Sequence, residues 1–547
     1  MRVKFLSLIL AFLLFSIHAL ASVAGQLDLT FNNTGTVFSP LSGLSQIDSL
    51  VPLPDGGVLV GGFFKGLNGN KTGFLARYNQ SGQPVSSFGD NGIKTLNIEL
   101  PNPEEGILDH EVTVAFVSGD KVLVGGYVNV LKNEVVQKKF MLGRLKLADG
   151  SLDETFNNGK LIVRELLTQV ENSPDIFVRD LKVQADGKII VALNIVQPPL
   201  SIPINDFRSS DEENLKNAIL LARFNLSGTL DENFGNKQDV DGRGLRFLNG
   251  FYVYNNSLAV KSIAIQKDNK IILGGSVEND KYVALARLDS EGVTLDSSFS
   301  NRSAWVYDLS NGNQKSQLSS IILQPDNKIL IAGTANGDFA VARCAVDCQS
   351  DTEGLDSSFG NNGVQLTDIG QGTEDSLSGI ALQPNGKIIA VGETTQNSLQ
   401  QTRLALVRYN SDGNRDTSFN ENGILTAQFA ENKDSHGYAI TSQSDEKILI
   451  AGGVDTKSGG GDSQFVLARF FGKTVAETVV VNPPSSTQPK PDVSGSEGGS
   501  SSTEPLAAGV NVSSGGCHIT SGNSSSFLLF FVALIPLFYF RFRKIEG

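Results

Sequence analysis

The sequence predicts an all-β fold, a seven-bladed β-propeller, and three observations predict it. One phrase returns seven times, as in "LDETFNNGK" at Leu152–Lys160 and "LDSSFGNNG" at Leu355–Gly363. Two more phrases return with it in fixed order, resembling "QPNGKIIAVGE" (Gln383–Glu393) and "LALVRYNSDG" (Leu404–Gly413). The array opens on the first phrase and ends on the third, so closing a circle supplies the one join that the chain lacks.

Each cycle of about sixty residues reads as four short strands, a period typical of propellers and solenoids. In the sixth these are "GVQLTDIG", "LSGIALQ", "KIIAVGE" and "RLALVRYN", with Asn, Asp and Gly at every junction. β-Branched and aliphatic residues dominate, and "PNG" between two strands suits a tight hairpin. "KIIAVG" is apolar at consecutive positions, the mark of a strand buried on both faces. Such sheets must be sandwiched by neighbours, which seven sheets achieve by standing radially around an axis. The rival, a linear β-solenoid, would show shorter repeats and need polar caps. The phenylalanine of the first phrase recurs at Phe31, Phe88, Phe156, Phe234, Phe299, Phe359 and Phe419. It is expected to wedge between sheets.

The ends are organised differently. Residues 1–21 carry Arg2 and Lys4, an apolar run and Ala19-Leu20-Ala21, the layout of a signal peptide cleaved after Ala21. A retained membrane anchor is the alternative. The propeller is expected over 22–472. Residues 473–526 are rich in Ser, Gly, Pro and Thr and cannot bury enough apolar surface to offset ordering, so a disordered linker is expected. Residues 527–547 hold an apolar run, Phe527–Phe540, and then Arg541, Arg543 and Lys544. A helix that short spans about 21 Å against a hydrocarbon core of about 30 Å. It is either a marginal anchor, basic side in the cytoplasm, or a sorting signal.

Composition excludes some functions. A net charge of -13 argues against nucleic acid. Outside the leader the only histidines are His110, His436 and His518. No HExxH, GxSxG elbow or phosphate-cradling loop occurs, so no catalytic set, metal ligand set or cofactor is expected. The 58 acidic residues leave a carboxylate-based enzyme open, with no pair singled out. "NSDGNRD" (Asn410–Asp416) spaces oxygens like some calcium loops, but its Gly413 sits at the fourth position and a plain turn is expected.

Each third phrase carries one arginine, and an aspartate follows in most joints. A ring of cations around a ligand is one reading. The favoured one is a structural pair, since Arg forks match carboxylates: Arg144–Asp153, Arg223–Asp231, Arg287–Asp296 and Arg408–Asp416. By ring closure Arg469 should meet Asp28, whereas Arg77 faces Val85. Cys344 and Cys348 flank an enlarged third joint and could form a disulfide in an oxidising compartment. The segment Leu193–Ile219 is an insertion in the third repeat, of either functional or neutral origin.

The three linked phrases resemble the delta-60 repeats, a bacterial family of extracellular β-propeller-like repeats, over roughly residues 27–472. The resemblance implies a secreted or surface location and supplies no general catalytic site. "PVSSF" in the second repeat departs from it. "SSGGCHI" before the apolar tail is similar to the C-terminal sorting signals of Gram-negative bacteria, which implies processing near Cys517. The expected function is therefore an exported, envelope-anchored, non-catalytic propeller. It would bind an unknown protein or glycan, or build the surface, with its tail in the membrane. The alternative is a carbohydrate-active or lytic propeller enzyme with carboxylates in a central pocket.

Overall fold

The computed structural model describes residues 23–474, apart from 42, 103, 167–174, 197–216, 236–244, 249–257, 278, 301–303, 314, 350–353, 371–372, 397–400 and 456–462. Ala21 and the leader, the linker beyond 474, the 527–547 segment with Cys517, and most of the 193–219 insertion lie outside them.

The described chain forms seven four-stranded antiparallel sheets. Blade six is representative: Thr373–Leu382, Ile388–Gln396, Gln401–Tyr409 and Ile424–Ala427, paired in that order from the axis outward. The inner strands are Ser45–Pro52, Gly106–Ser118, Asp175–Val183, Ala259–Ile265, Ser316–Leu323, Thr373–Leu382 and Ser435–Ser442. Each touches the inner strand of both neighbouring blades, so the seven enclose an axis. The ring closes where Thr36–Phe38 pairs antiparallel with Val466–Ala468 as the outer strand of blade seven. One boundary differs from the phrase cycle. "GVQLT" contributes Val364–Thr367 to the sheet of the preceding cycle, pairing with Phe339–Ala342. Blades are thus offset by one strand from repeats, and this offset is what lets the N-terminal strand lock the ring.

Apolar residues sit in seven layers between blades. The second strand of blade six reads Ile388, Ile389, Ala390, Val391, all fully buried, because both of its faces meet a neighbour. Each recurrent phenylalanine belongs to a different layer, from Phe31 at the closing seam to Phe419 between blades six and seven. Burying one such ring is worth about 1.5–3 kcal/mol. At the closing seam Phe74 and Phe465 stack at 5.8 Å.

Every inner strand carries a register shift of one residue, at Asp48, Thr113, Arg179, Lys261, Ser319, Ser378 and Tyr438, and that of blade two a second at Leu108. A bulge leaves its extra residue unpaired and re-aims it. It also explains the glycine of "KIIAVG". A Cβ on Gly392 would lie 1.9 Å from the Ser376 carbonyl oxygen, and one on Gly333 1.9 Å from that of Gln317. Gly62, Gly126, Gly275 and Gly452 face the same approach. Blade three has Leu193 opposite Val178 instead.

The ring has two faces. Hairpins between inner and second strands, and the joints carrying the recurrent phenylalanines, share one. Loops between second and third strands, and the connections into the next blade, share the other, here called the loop face.

Candidate functional site

On the joint face each residue of the first phrase has a defined task. Arg144 Nε lies 2.8 Å from Asp153 Oδ2, Arg223 2.8 Å from Asp231, Arg287 2.9 Å from Asp296 and Arg408 2.7 Å from Asp416. Arg343–Asp356 and Arg469–Asp28 repeat this at 2.9 and 2.7 Å. The other aspartate oxygen accepts the backbone N–H two residues on, as with Thr155 and Ser418. Each of these six guanidiniums also lies over the joint phenylalanine, from Arg408 over Phe419 at 4.5 Å to Arg144 over Phe156 at 4.9 Å. Finally, each arginine reaches a carbonyl of the next blade: Arg144 to Leu226, Arg223 to Ser290, Arg287 to Val346, Arg343 to Ser411, Arg408 to Gly472 and Arg469 to Gln80. The last of these links carries the ring back to blade one.

The lysine of "GKII" is a partner that sequence reasoning missed. Lys188, Lys270, Lys328 and Lys387 approach the joint aspartates to 2.9, 2.8, 2.7 and 2.6 Å. Lys121 and Lys447 stand farther away, at 3.8 and 3.3 Å. Blade one lacks this partner too: Gly57 occupies the lysine's place in the repeat that has Val85 in place of aspartate. Arg77 instead pairs with the exposed Asp55 at 2.8 Å, and its buried Nε has no hydrogen-bond partner. The paired loss of Lys and Asp was visible in the phrases. Burial alone would raise the joint carboxyls, but the Lys, Ser and Arg contacts outweigh it. They hold Asp416 down to about 2, and Asp296 and Asp356 lower still.

In blades two to seven these joint residues partner one another. Cys344 and Cys348 are joined by a disulfide and buried within the enlarged joint. Asn410–Asp416 is a turn in which Asp412 Oδ1 accepts the Asn414 N–H at 3.0 Å. His110 is buried and its Nδ1 accepts the Gly73 N–H at 3.2 Å; burial lowers its pKa.

The loop-face mouth of the axial channel is built differently. The seven inner-strand bulge positions are occupied by Asp, Thr, Arg, Lys, Ser, Ser and Tyr, and some interact across blades, Arg179 with Lys261 and Asp48 with Tyr438. From blade two to blade four the chemistry is cationic and aromatic. Tyr127 and Phe177 meet edge-on at 6.1 Å. Lys138 Nζ sits 4.1 Å from the centre of each ring, and the Arg179 guanidinium lies 5.3 Å from that of Phe177. Among the described residues no ion pair forms at Lys138, Arg179 or Lys261. Enclosure by the wall and the neighbouring Arg179 hold Lys261 below the usual lysine range. Towards blades one and seven the rim turns acidic. Glu111 pairs with Lys71 at 2.5 Å. Asp48 accepts from Gln46 on one oxygen, and its other oxygen is buried without a partner. Burial, reinforced by the Glu111 charge, pushes the Asp48 carboxyl up to about 7. His436 Nδ1 lies 2.5 Å from Glu393 and Nε2 3.4 Å from Asp455, while its ring stacks on Tyr438. Burial would lower the His436 pKa, but the two carboxylates outweigh it and raise it.

A family profile described as "Domain of unknown function (DUF5122) beta-propeller" matches residues 53–88, 266–299, 324–345 and 383–419. Among curated proteins none matches. Solved structures of similar fold include a glucose dehydrogenase, 13% identical, with a TM-score of 0.34 over 79% of this chain and 99% of that one. The PQQ-bound aldose sugar dehydrogenase of Streptomyces coelicolor is 11% identical, with a TM-score of 0.32 over 68% and 100%. A PL25 ulvan lyase bound to a GlcA–Rha3S unit is 9% identical, with a TM-score of 0.34 over 80% and 96%. The chain is a β-propeller repeat protein.

Proposed function

We propose that this is a non-catalytic binding propeller whose ligand site is the loop-face mouth, and that the ligand is a carboxylated glycan. One observation carries the reading: Lys138, Arg179 and Lys261 form no ion pair among the described residues, whereas the six joint arginines of blades two to seven are all paired. A uronate offers a carboxylate for such cations and an apolar ring face for Tyr127 and Phe177. The protein is an exported surface propeller of the delta-60 type, released from its leader after Ala21. It is held in the envelope through the segment after residue 473, with Cys517 at the processing position. Intact-mass analysis of the envelope-purified protein tests the anchoring. An unmodified chain running through Gly547 would contradict processing at Cys517.

Among the described residues the enzyme reading has candidates in the Asp48 carboxyl, raised to about 7 beside Glu111, and in His436 beside Tyr438. Both ring nitrogens of His436 are engaged by carboxylates, which leaves none to take a substrate proton. Incubation with polyuronates separates the readings: binding without new reducing ends or unsaturated product supports the binder, and turnover lost in Asp48→Asn or His436→Ala supports the enzyme.

A further inference from the structure

Asp338, Asp368 and Asp375 converge on the loop face at the seam of blades five and six, with one carboxylate oxygen from each within 4.8 Å of the others. Their chain positions are distinct. Asp338 opens the third strand of blade five, Asp368 follows that blade's outer strand, and Asp375 lies near the start of the inner strand of blade six. Backbone contacts hold the group together: Asp375 N–H donates to the Gly337 carbonyl and Ile369 N–H to Asp375 Oδ2, both at 2.8 Å. Among the described residues no lysine or arginine pairs with any of the three.

Two buried oxygens point to a missing partner. Asp375 is 2% exposed, and its Oδ1 makes no hydrogen bond. Thr394, 6% exposed, lies opposite Asp375 in the strand register and has an Oγ1 that also makes none. A buried polar atom left unsatisfied costs about 1–3 kcal/mol, and more when charged. We propose that this seam holds a divalent cation of the calcium type, bound by Asp338, Asp368 and Asp375. Calcium takes oxygen ligands at about 2.3–2.6 Å in adaptable geometry, so oxygens on opposite sides of it stand up to about 5 Å apart. Magnesium demands a tighter octahedron at about 2.0–2.1 Å. The exposed Asp368 leaves a route for the ion to enter. The ion would tie the outer edge of blade five to the inner strand of blade six, a seam with no other cross-blade cation on this face among the described residues.

The test is calorimetric titration of the chelator-stripped full chain with calcium and with magnesium, alongside thermal melting. One calcium per chain is expected, with Kd on the order of 10⁻⁴–10⁻³ M as in extracellular modules, and magnesium at least about tenfold weaker. Calcium should raise the melting temperature. Asp368→Asn, at an exposed position, should fold like the parent without calcium and bind it at least about tenfold more weakly. Asp375→Asn should melt higher than the calcium-free parent and lose the calcium response. Absence of heat and of any melting shift at about 10 mM calcium would overturn the proposal. So would a calcium response that survives Asp368→Asn.

Discussion

On the joint face the same atoms meet in blade after blade. At the mouth on the opposite face, seven equivalent bulge positions hold six residue types. The joint is satisfied within itself: carboxylate with Arg and Lys, guanidinium over phenyl, remaining N–H groups on carbonyls. The mouth is not. It leaves cations over aromatic rings, a carboxyl raised to about 7 and an acidic rim across the channel. Repetition follows seam geometry, which recurs sevenfold, and variation falls where no seam constrains the side chain. Blade one shows the boundary between the two regimes, since a joint can lose Asp and Lys together and still close.

The comparison breaks first at the joint. Arg223 and Asp231 are both buried. Removing Asp231 leaves the buried Arg223 with the half-exposed Glu291 as its remaining carboxylate, so Asp231→Ala should cost about 2–3 kcal/mol in urea denaturation. Asp55→Ala at the blade-one joint, where Asp55 is half exposed, should cost at most about 1 kcal/mol. Equal costs would mean that the repeated joint contributes no more than a surface pair. Next in size is Gly392→Ala, which drives a methyl into the Ser376 carbonyl and should cost about 1–3 kcal/mol. Gly106→Ala, with nothing within 4 Å, should be nearly neutral by the same measurement.

Much of the joint could be read in the phrases, because the chemistry repeats with the letters. Seven copies revealed the strand order and the circle, and the Arg and Asp of each cycle stand at the right separation to meet. The lysine partner was equally present in "GKII", but its side chain crosses from another strand, a separation that no local spacing suggests. The blade offset was hidden for a related reason: a strand's partner is set by register and not by which phrase it adjoins. The mouth could not be read at all. Lys138 and Phe177 are 39 positions apart and meet only because a bulge and a ring bring them to one rim. Asp338 and Asp375 likewise look like ordinary loop carboxylates until the blade seam aligns them.

The pH response sharpens the contrast with a smaller effect. A carboxyl whose folded pKa is depressed stabilises the fold above its unfolded value, about 4, and loses that stabilisation as pH falls towards the folded value. For Asp416 the window runs from about 4 down to about 2. Asp416→Asn should therefore be less stable at neutral pH and lose less stability on acidification. Asp48 has the opposite sign. Its folded value is raised to about 7, so its penalty is complete above pH 7 and fades as pH falls towards 4. Asp48→Asn should remove that slope from a plot of stability against pH between about 4 and 7.

The most direct test of the account replaces the unpaired cations of the mouth, Lys138→Ala with Arg179→Ala and Lys261→Ala, and measures polyuronate binding by calorimetry beside the melting temperature. Arg179 and Lys261 are exposed, so changing either should alter stability by no more than about 0.5 kcal/mol, whereas Lys138→Ala also loses its contacts with Tyr127 and Phe177 across the seam of blades two and three and should cost about 0.5–1 kcal/mol. The account predicts salt-sensitive binding by the parent that weakens at least about tenfold in the triple variant, while an Asp55→Ala control on the joint face binds like the parent. Binding that survives in the triple variant, or a parent that binds no polyuronate, would contradict it.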